Sequence, residues 1–298
     1  MSGAAGGRLT VADALAMARS HDDRIDLRIL LGHALGRPHS WLITHPDAEL
    51  DGPARARFED LWHRRRAGEP VAYLTGEREF HGLSFAVGPG VLIPRPETEL
   101  LVDSALEHLP AGRHALAGDL GTGSGAVAVA LAFRRPLLRV VATDLSMAAL
   151  EIARGNASRL GVADRCSFVE GDWCAALAGG VFDALVSNPP YIAEDDPHLD
   201  QGDLRFEPRV ALTSGPEGLD ALTHIIRSAG RHLRAGGHLL LEHGYDQGEA
   251  VRTRLAMAGF AGIETRRDLA GIERVTLGRW DVDQVGVADY PQGLPSQI

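Results

Sequence analysis

The segment Asn188-Pro189-Pro190-Tyr191 combines the residue types best suited to chemistry in this sequence. It follows the apolar run 182–187, which has the pattern of a buried strand in a parallel sheet. Two consecutive prolines have no N–H to donate and hold φ at about −65°, so they end the strand and fix the backbone. The Asn188 side-chain oxygen and the Pro189 carbonyl are two acceptors that can hold a planar –NH2 group. The alternative is a proline-rich turn without chemistry, because short motifs give false matches.

A glycine-rich loop, residues 119–125 (DLGTGSG), lies between a predicted strand and a predicted helix rich in alanine and valine. Gly121, Gly123 and Gly125 allow a tight turn and the close approach of a ligand, and Thr122 lies among them. The N-terminus of the following helix favours an anionic group such as a carboxylate. The G-x-G-x-G spacing differs from the G-x-G-x-x-G spacing of pyrophosphate-binding loops.

Acidic residues follow the next two predicted strands. Asp144 ends the second strand, where a carboxylate can accept both hydroxyls of a ribose; alternatively it caps the helix that follows. After the third strand, Asp172 can accept from an adenine amino group and Trp173 can pack on the ring, or the two residues form an ordinary turn. Because ligands bind beyond the carboxyl ends of strands in such sheets, we expect all four motifs to meet at one edge.

From about residue 114, strands and helices alternate in the pattern of a doubly wound sheet. The predicted strands are residues 116–120, 139–143, 167–170, 182–187, 238–242, 262–265 and 274–277. A parallel crossover needs about a dozen residues or more, so the short loop between the last two strands makes that pair antiparallel. The sequence therefore predicts an α/β fold with a seven-stranded, mostly parallel sheet and an antiparallel terminal strand.

A small helical domain is predicted ahead of this sheet. Thr10 can cap a first helix that runs to about Ala18, Gly36 can end a second, and Phe58, Leu61 and Trp62 mark a third. Alternation around Gly82 predicts a connecting β-hairpin. The expected domains are residues 1–70 (helical), 71–93 (hairpin), 94–280 (sheet domain) and 281–298 (a loose C-terminal tail).

The composition narrows the possible functions. A formal charge of −10 over 298 residues argues against long duplex nucleic acid as a stable partner. The two cysteines, Cys166 and Cys174, lack the spacing of a zinc ribbon or a redox pair, and we expect no metal site. No apolar stretch has transmembrane length, and the first residues lack the pattern of a signal peptide. We therefore expect a cytoplasmic protein without a membrane partner.

Taken together, the motifs resemble those of an S-adenosylmethionine-dependent methyltransferase of the seven-stranded class. More closely, the chain resembles the peptide chain release factor N5-glutamine methyltransferase family. The similarity covers roughly residues 10–280, and the segments that carry it are 73–80 (YLTGEREF), 91–99 (VLIPRPETE), 206–212 (FEPRVAL), 218–220 (GLD) and 268–271 (DLAG). The departures are Gly118 within the first strand, where it would weaken the sheet, His81 after Phe80, and the additional tail.

The resemblance implies S-adenosyl-L-methionine as the cofactor, bound by Gly121, Thr122, Gly123, Gly125, Asp144, Asp172, Trp173 and Asn188. It implies transfer of the methyl group to the side-chain nitrogen (N5) of the glutamine in the Gly-Gly-Gln loop of a class 1 peptide chain release factor, which the N-terminal domain would help to dock. Asn188, Pro189 and Tyr191 would then be catalytic, and with Pro190 would bind the substrate amide. The alternatives are an adenine-N6 or cytosine-N4 nucleic-acid methyltransferase, a nicotinamide-dependent oxidoreductase and a non-catalytic binding protein.

Overall fold

The described chain, residues 8–281 of a computed structural model, divides into two compact units. The first comprises residues 8–77 together with residues 200–206, and the second comprises residues 78–199 and 207–281. The tail predicted at 281–298 falls almost wholly outside the described residues. No helix within residues 8–281 has the length and apolar character required to cross a membrane.

The first unit is helical, as predicted. Its helices are α1 (Val11–Leu15), α2 (His21–Leu35), α3 (His39–Thr44), α4 (Gly52–Arg66) and α5 (Val71–Thr75). Thr10 caps α1: its hydroxyl accepts from the Asp13 N–H at 3.1 Å, while the Asp13 carboxylate accepts from the Thr10 N–H at 3.0 Å. Gly36 ends α2 in the left-handed conformation, with φ 62°. The buried faces of α2 and α4 supply most of the apolar core of this unit.

The structure corrects the predicted start of the hairpin. Val71–Thr75 is a helix, because the Pro70 carbonyl accepts from the N–H groups of Tyr73 and Leu74 and Gly76 ends the turn at φ 74°. The hairpin itself comprises β1 (Glu77–Phe80) and β2 (Leu83–Ala86).

The hairpin turn explains the residue at position 81. His81 and Gly82 both have positive φ, 53° and 77°, as a two-residue turn between twisted strands requires. For a histidine this conformation is strained, but its contacts offset the cost. Its backbone N–H donates to Glu99 at 2.8 Å, and its ring lies 3.0 Å from Asp103 and 3.1 Å from Arg134. The departure from the family pattern is therefore accommodated locally.

The second unit contains the predicted seven-stranded sheet. After the hairpin come the short 3-10 turn Pro96–Thr98 and α6 (Glu99–His108). The α-helices and strands that follow are β3 (Ala115–Leu120), α7 (Ala126–Arg134), β4 (Leu138–Asp144), α8 (Met147–Arg159), β5 (Cys166–Glu170), β6 (Phe182–Ser187), α9 (Asp220–Ala229), β7 (Leu233–Glu242), α10 (Gly248–Met257), β8 (Phe260–Arg267) and β9 (Glu273–Trp280). The strand order is β5-β4-β3-β6-β7-β9-β8. The last strand in sequence, β9, lies between β7 and β8 and runs antiparallel to both.

The central strand β6 is buried along its whole length. Ala184 and Val186 pack into the cluster that contains α6 and α7, whereas Leu185 packs into the cluster that contains α9 and α10. Because alternate residues of a strand face opposite sides, this division shows that helices cover both faces of the sheet.

Gly118, expected to weaken the first strand, has a packing role. A Cβ atom at this position would lie 2.5 Å from the Leu185 Cδ2 atom and 3.5 Å from the Phe182 ring. The absent side chain therefore leaves the space that two buried residues of the neighbouring strand occupy.

We predict that Gly118→Ala lowers the free energy of unfolding by about 1 to 3 kcal/mol, because the extra methyl group overpacks a closed core. Gly155→Ala is the matched control: Gly155 is exposed on α8 with open space around its Cα, so alanine should raise stability by roughly 0.5 to 1 kcal/mol. Urea unfolding of both variants measures the difference. Equal stabilities for wild type and Gly118→Ala would contradict the packing role.

Candidate active site

A cavity of about 670 Å³ lies at the carboxyl ends of the parallel strands within the second unit. Its wall combines the glycine loop after β3, the end of β4, the turn after β5 and the start of the segment after β6. Residues 90–98, which precede α6, and residues 210–224 complete the wall. All four motifs that were predicted to meet therefore supply residues to the cavity wall, and Asp144 is the residue that the end of β4 was predicted to contribute.

The glycine loop has the conformation that its sequence predicts. Gly121, Gly123 and Gly125 have φ of 74°, 54° and 80°, which side-chain-bearing residues rarely adopt. A Cβ atom at Gly121 would lie 2.6 Å from the Trp173 ring, and one at Gly125 would lie 2.9 Å from the Ala153 Cβ. The loop therefore packs closely against the walls on both sides. Its backbone then leads directly into the N-terminus of α7.

Asp119, near the end of β3, also lines the cavity, a role that the sequence alone did not indicate. Its carboxylate accepts from the Thr122 hydroxyl at 2.6 Å and from the Ala128 N–H at 3.1 Å. Burial raises the pKa of this carboxyl to about 6, against the opposing effect of the two hydrogen bonds. Its position two residues before Gly121 was the available signal in the sequence.

Asp144 connects the glycine loop to the next helix. Its Oδ2 accepts from the Gly123 N–H at 2.8 Å, and its Oδ1 accepts from the Ser146 N–H at 2.9 Å. The alternative role as a helix cap is wrong, because the Ser146 hydroxyl is the cap and accepts from the Ala149 N–H at 3.2 Å. Each carboxylate oxygen retains a lone pair for a ligand hydroxyl, and Asp144 lines the cavity. Its role towards a ribose stays a prediction.

The turn after β5 contributes Gly171 and Trp173 to the cavity, but not Asp172. The Asp172 side chain is 52% exposed, and its carboxylate lies 3.9 Å from His224 Nε2. The acid therefore lies beside the wall residue His224 rather than lining the cavity itself, and its role towards an adenine stays a prediction. Trp173 adopts a left-handed conformation, φ 42°, with its ring against Gly121.

Within the proline segment, Asn188 and Pro190 line the cavity, while Pro189 is buried. The Asn188 Nδ2 atom donates to the Thr98 hydroxyl oxygen at 3.0 Å. Because the amide nitrogen is engaged in this way, Oδ1 is the atom of Asn188 that remains as an acceptor. The role of Asn188 as an acceptor for a substrate amide stays a prediction.

Tyr191 is not among the residues that form the cavity wall, and its contact with substrate or cofactor stays a prediction. Its ring packs against the apolar cluster around α9 and α10, and its hydroxyl donates to Glu242 Oε1 at 3.3 Å. Its backbone carbonyl accepts from the Gln247 side chain at 2.9 Å. Burial and the neighbouring carboxylate raise the pKa of the Tyr191 phenol well above its usual range. The phenol is therefore neutral and donates a hydrogen bond to Glu242 at the end of β7.

An ion pair links two of the segments that carry the resemblance. Arg95 Nη2 lies 2.6 Å and 2.7 Å from the two carboxylate oxygens of Glu207, whose side chain is fully buried. The first residue belongs to the segment before α6, and the second to the segment that follows Phe206. Both neighbouring segments supply cavity wall, so the ion pair fixes two parts of the wall relative to each other.

The chain is similar to known proteins over most of its length. Residues 10–76 match the family model of the PrmC N-terminal domain, and residues 97–203 match that of the methyltransferase small domain. The chain is 55% identical over 262 residues to the release factor glutamine methyltransferase of Burkholderia pseudomallei, covering 86% of this chain and 92% of that protein. It is 46% identical over 261 residues to the Escherichia coli protein of the same name, covering 88% and 94%.

Solved structures share the fold of the second unit at low sequence identity. The catalytic domain of hMettl16, solved with an RNA hairpin, superposes with a TM-score of 0.55 at 16% identity, over 78% of this chain and 84% of that one. The T. thermophilus 16S rRNA methyltransferase RsmC, solved with AdoMet and guanosine, gives 0.52 at 21% identity, over 68% and 49%. At these identities the likeness shows the fold alone.

We predict that Asp144→Ala weakens binding of S-adenosyl-L-methionine by about tenfold or more, because the variant loses a carboxylate at the cavity wall and the hydrogen bond that fixes Gly123. Asp172→Ala, which removes an acid outside the wall, should change the dissociation constant little. Calorimetric titration measures both. Equal losses in the two variants would restore the adenine role of Asp172, and no loss in either would exclude Asp144 as a ligand.

Proposed function

The chain belongs to the release factor glutamine methyltransferase family, and we propose that its substrate is the glutamine of the Gly-Gly-Gln motif in class 1 peptide chain release factors. The protein transfers a methyl group from S-adenosyl-L-methionine to the side-chain amide nitrogen of that glutamine. The observation that carries the proposal is the fixed amide of Asn188, whose oxygen remains as an acceptor at a cavity that also contains the glycine loop and Asp144.

The cavity suits this methyl donor. Its volume of about 670 Å³ is within the usual range for a ligand of this size. The glycine loop precedes the N-terminus of α7, which favours the carboxylate of the donor. Asp144 would accept the ribose hydroxyls, and Trp173 would pack beside the adenine. The donor supplies an electrophilic methyl group on a sulfonium, and the carboxylates of Asp119 and Asp144 give the wall a charge opposite to that cation.

A primary amide is a poor nucleophile because the nitrogen lone pair is delocalised into its carbonyl. The protein must therefore align the nitrogen with the methyl group, and alignment of two bound reactants can contribute on the order of 7–11 kcal/mol. Asn188 Oδ1 and the Pro189 carbonyl would accept the two amide N–H groups. The Pro189 carbonyl is suited to this role because Pro190, the next residue, has no N–H. Acceptors aimed at the nitrogen also stabilise the positive charge that develops there. The proton then leaves to water.

The helical first unit would supply docking area for a folded protein substrate. The overall charge of −10 disfavours duplex nucleic acid as a stable partner. We place the reaction in the cytoplasm, where a release factor would be encountered.

Asn188→Ala should lower the rate of methyl transfer by about 10²-fold or more, by analogy with the loss of one donor from an oxyanion hole. Affinity for the methyl donor should change little, because the glycine loop and Asp144 are untouched. Asp195→Ala, an exposed change in the same loop, is the matched control. Single-turnover rates with an intact release factor provide the measurement. A nearly unchanged rate would show that Asn188 only shapes the turn and does not bind the substrate amide.

Replacing the substrate glutamine with alanine in the Gly-Gly-Gln motif tests the acceptor. Labelled methyl groups should enter the wild-type release factor and not the altered one, and duplex DNA or RNA in the same reaction should stay unlabelled. Equal labelling of both release factors would show that another residue is methylated. Labelling of nucleic acid, with a strong dependence on salt, would support a nucleic-acid methyltransferase instead.

A further inference from the structure

The turn between β8 and β9, residues 268–272, presents the most exposed large apolar side chain among residues 8–281. That side chain is Leu269, which is fully exposed. We infer that this turn is a docking surface for the release factor, and that Leu269 binds an apolar pocket of that protein close to the Gly-Gly-Gln loop. The inference rests on the proposed function, since it concerns the same protein substrate.

The turn lies at the edge of the sheet that carries the cavity. β9 runs antiparallel to β7, with Val275 opposite Glu242, the last residue of β7. The ladder continues for one more residue, because the His243 N–H donates to the Arg274 carbonyl at 2.9 Å. β9 therefore begins at the carboxyl end of β7, and the turn that precedes β9 projects beyond that end.

A protein substrate that reaches the cavity must also cover the start of β9. In the order β6-β7-β9, two strand spacings, about 10 Å, separate β9 from β6, the strand that leads into Asn188. An interface of standard size covers about 800 Å² of each partner, equivalent to a disc of about 16 Å radius. A footprint centred on Asn188 therefore extends to the turn. The Tyr191 hydroxyl, which donates to Glu242 at 3.3 Å, joins the proline segment to the same strand end.

Hydrogen bonds within the turn hold its backbone in one conformation. The Asp268 carboxylate accepts from the Ala270 N–H at 2.9 Å and from the Ile272 N–H at 3.0 Å. It also accepts from Arg274 Nε at 3.1 Å, and the Asp268 N–H donates to the Ile272 carbonyl at 2.8 Å. The turn therefore presents Leu269 on an ordered backbone, which lowers the entropy lost when a partner binds.

Two neighbouring side chains extend the apolar surface around Leu269. Ile272, at the other end of the turn, is 37% exposed, and Tyr245, three residues beyond the end of β7, is 72% exposed. All three residues belong to the carboxyl edge of the sheet. Exposed leucines that are scattered singly need no explanation, but apolar and aromatic side chains grouped at one edge are typical of the centre of a protein interface.

The charged groups around the turn are paired with each other. Arg267 Nη2 lies 2.7 Å from Glu273 Oε1, and Arg274 Nε lies 3.1 Å from Asp268 Oδ2. Because these charges are compensated within the chain, the surface suits a partner that binds by apolar contact. Binding through the turn should therefore depend weakly on salt, in contrast to binding of nucleic-acid phosphates.

Leu269→Asp tests the docking role. The variant places a charge where an apolar pocket of the partner should close, so KM for an intact release factor should rise about tenfold or more. The kcat at saturating release factor and the affinity for the methyl donor should not change, because residue 269 is outside the cavity wall. Tm should also be unchanged, since a fully exposed side chain loses no packing. Leu269→Met, which keeps an apolar side chain of similar volume, should retain most of the wild-type KM.

Met257→Asp is the matched control. Met257 is the last residue of α10 and is 84% exposed. Because α10 leads from the carboxyl end of β7 back to the start of β8, Met257 lies at the opposite edge of the sheet. The same substitution there should leave KM unchanged. An equal rise of KM in both variants would indicate a general effect of added negative charge and would overturn the docking role.

Binding without methyl transfer separates the docking role from the proposed function. A release factor with alanine in place of the Gly-Gly-Gln glutamine should bind the wild type, and Leu269→Asp should weaken this binding about tenfold, as measured by calorimetry. If the wild type methylates the glutamine while Leu269→Asp keeps both Kd and KM, the docking role is wrong and the proposed function stands. Weaker binding in Leu269→Asp without methylation of the glutamine by the wild type would support docking and contradict the proposed function.

Sedimentation of the protein alone tests the other possible occupant of the turn, a second copy of this chain. The wild type and Leu269→Asp should have the same mass in solution. A wild-type dimer that Leu269→Asp dissociates, with KM for the release factor unchanged, would make the turn an interface between copies and would overturn the docking role.

Discussion

A single buried hydrogen bond places the two most informative segments of the chain side by side. The Ser187 hydroxyl, at the end of β6, donates to the Leu120 carbonyl at the end of β3 at 2.6 Å. One residue further along, each strand begins the segment that lines the cavity: Asn188 on one side and Gly121 on the other. Because both strands are buried and paired in register, this junction has little freedom. The geometry of the site follows from the end of the sheet rather than from the loops themselves.

The three carboxylates at the carboxyl ends of the strands differ in burial and in hydrogen bonding. Asp144 accepts two backbone N–H groups, which compensate its charge. Asp119 and Glu242 are more deeply buried, and desolvation raises the pKa of each. Burial at the ends of β3 and β7 therefore favours the neutral form of two of these acids. Such differences commonly mark functional sites.

Sequence reasoning predicted the features that depend on local pattern. The seven strands, the antiparallel last pair and the glycine conformations follow from periodicity, loop length and backbone sterics. Val71–Thr75 was missed because five residues are too few to show a helical period. The side of the turn to which Asp172 points, and the face against which the Tyr191 ring packs, depend on neighbours distant in sequence. Glu242 had no sequence signal beyond its place at a strand end, since its burial and its contact with Tyr191 arise from the fold.

The position of β9 has a consequence for biosynthesis. Its insertion between β7 and β8 means that β8 has no strand to pair with until β9 has been made. A nascent chain that has exposed only the residues before Glu273 therefore presents β7 with an open edge, in a segment rich in leucine. Open apolar edges pair with other chains and promote aggregation. The sheet thus depends for its solubility during synthesis on a strand that is translated after all the others.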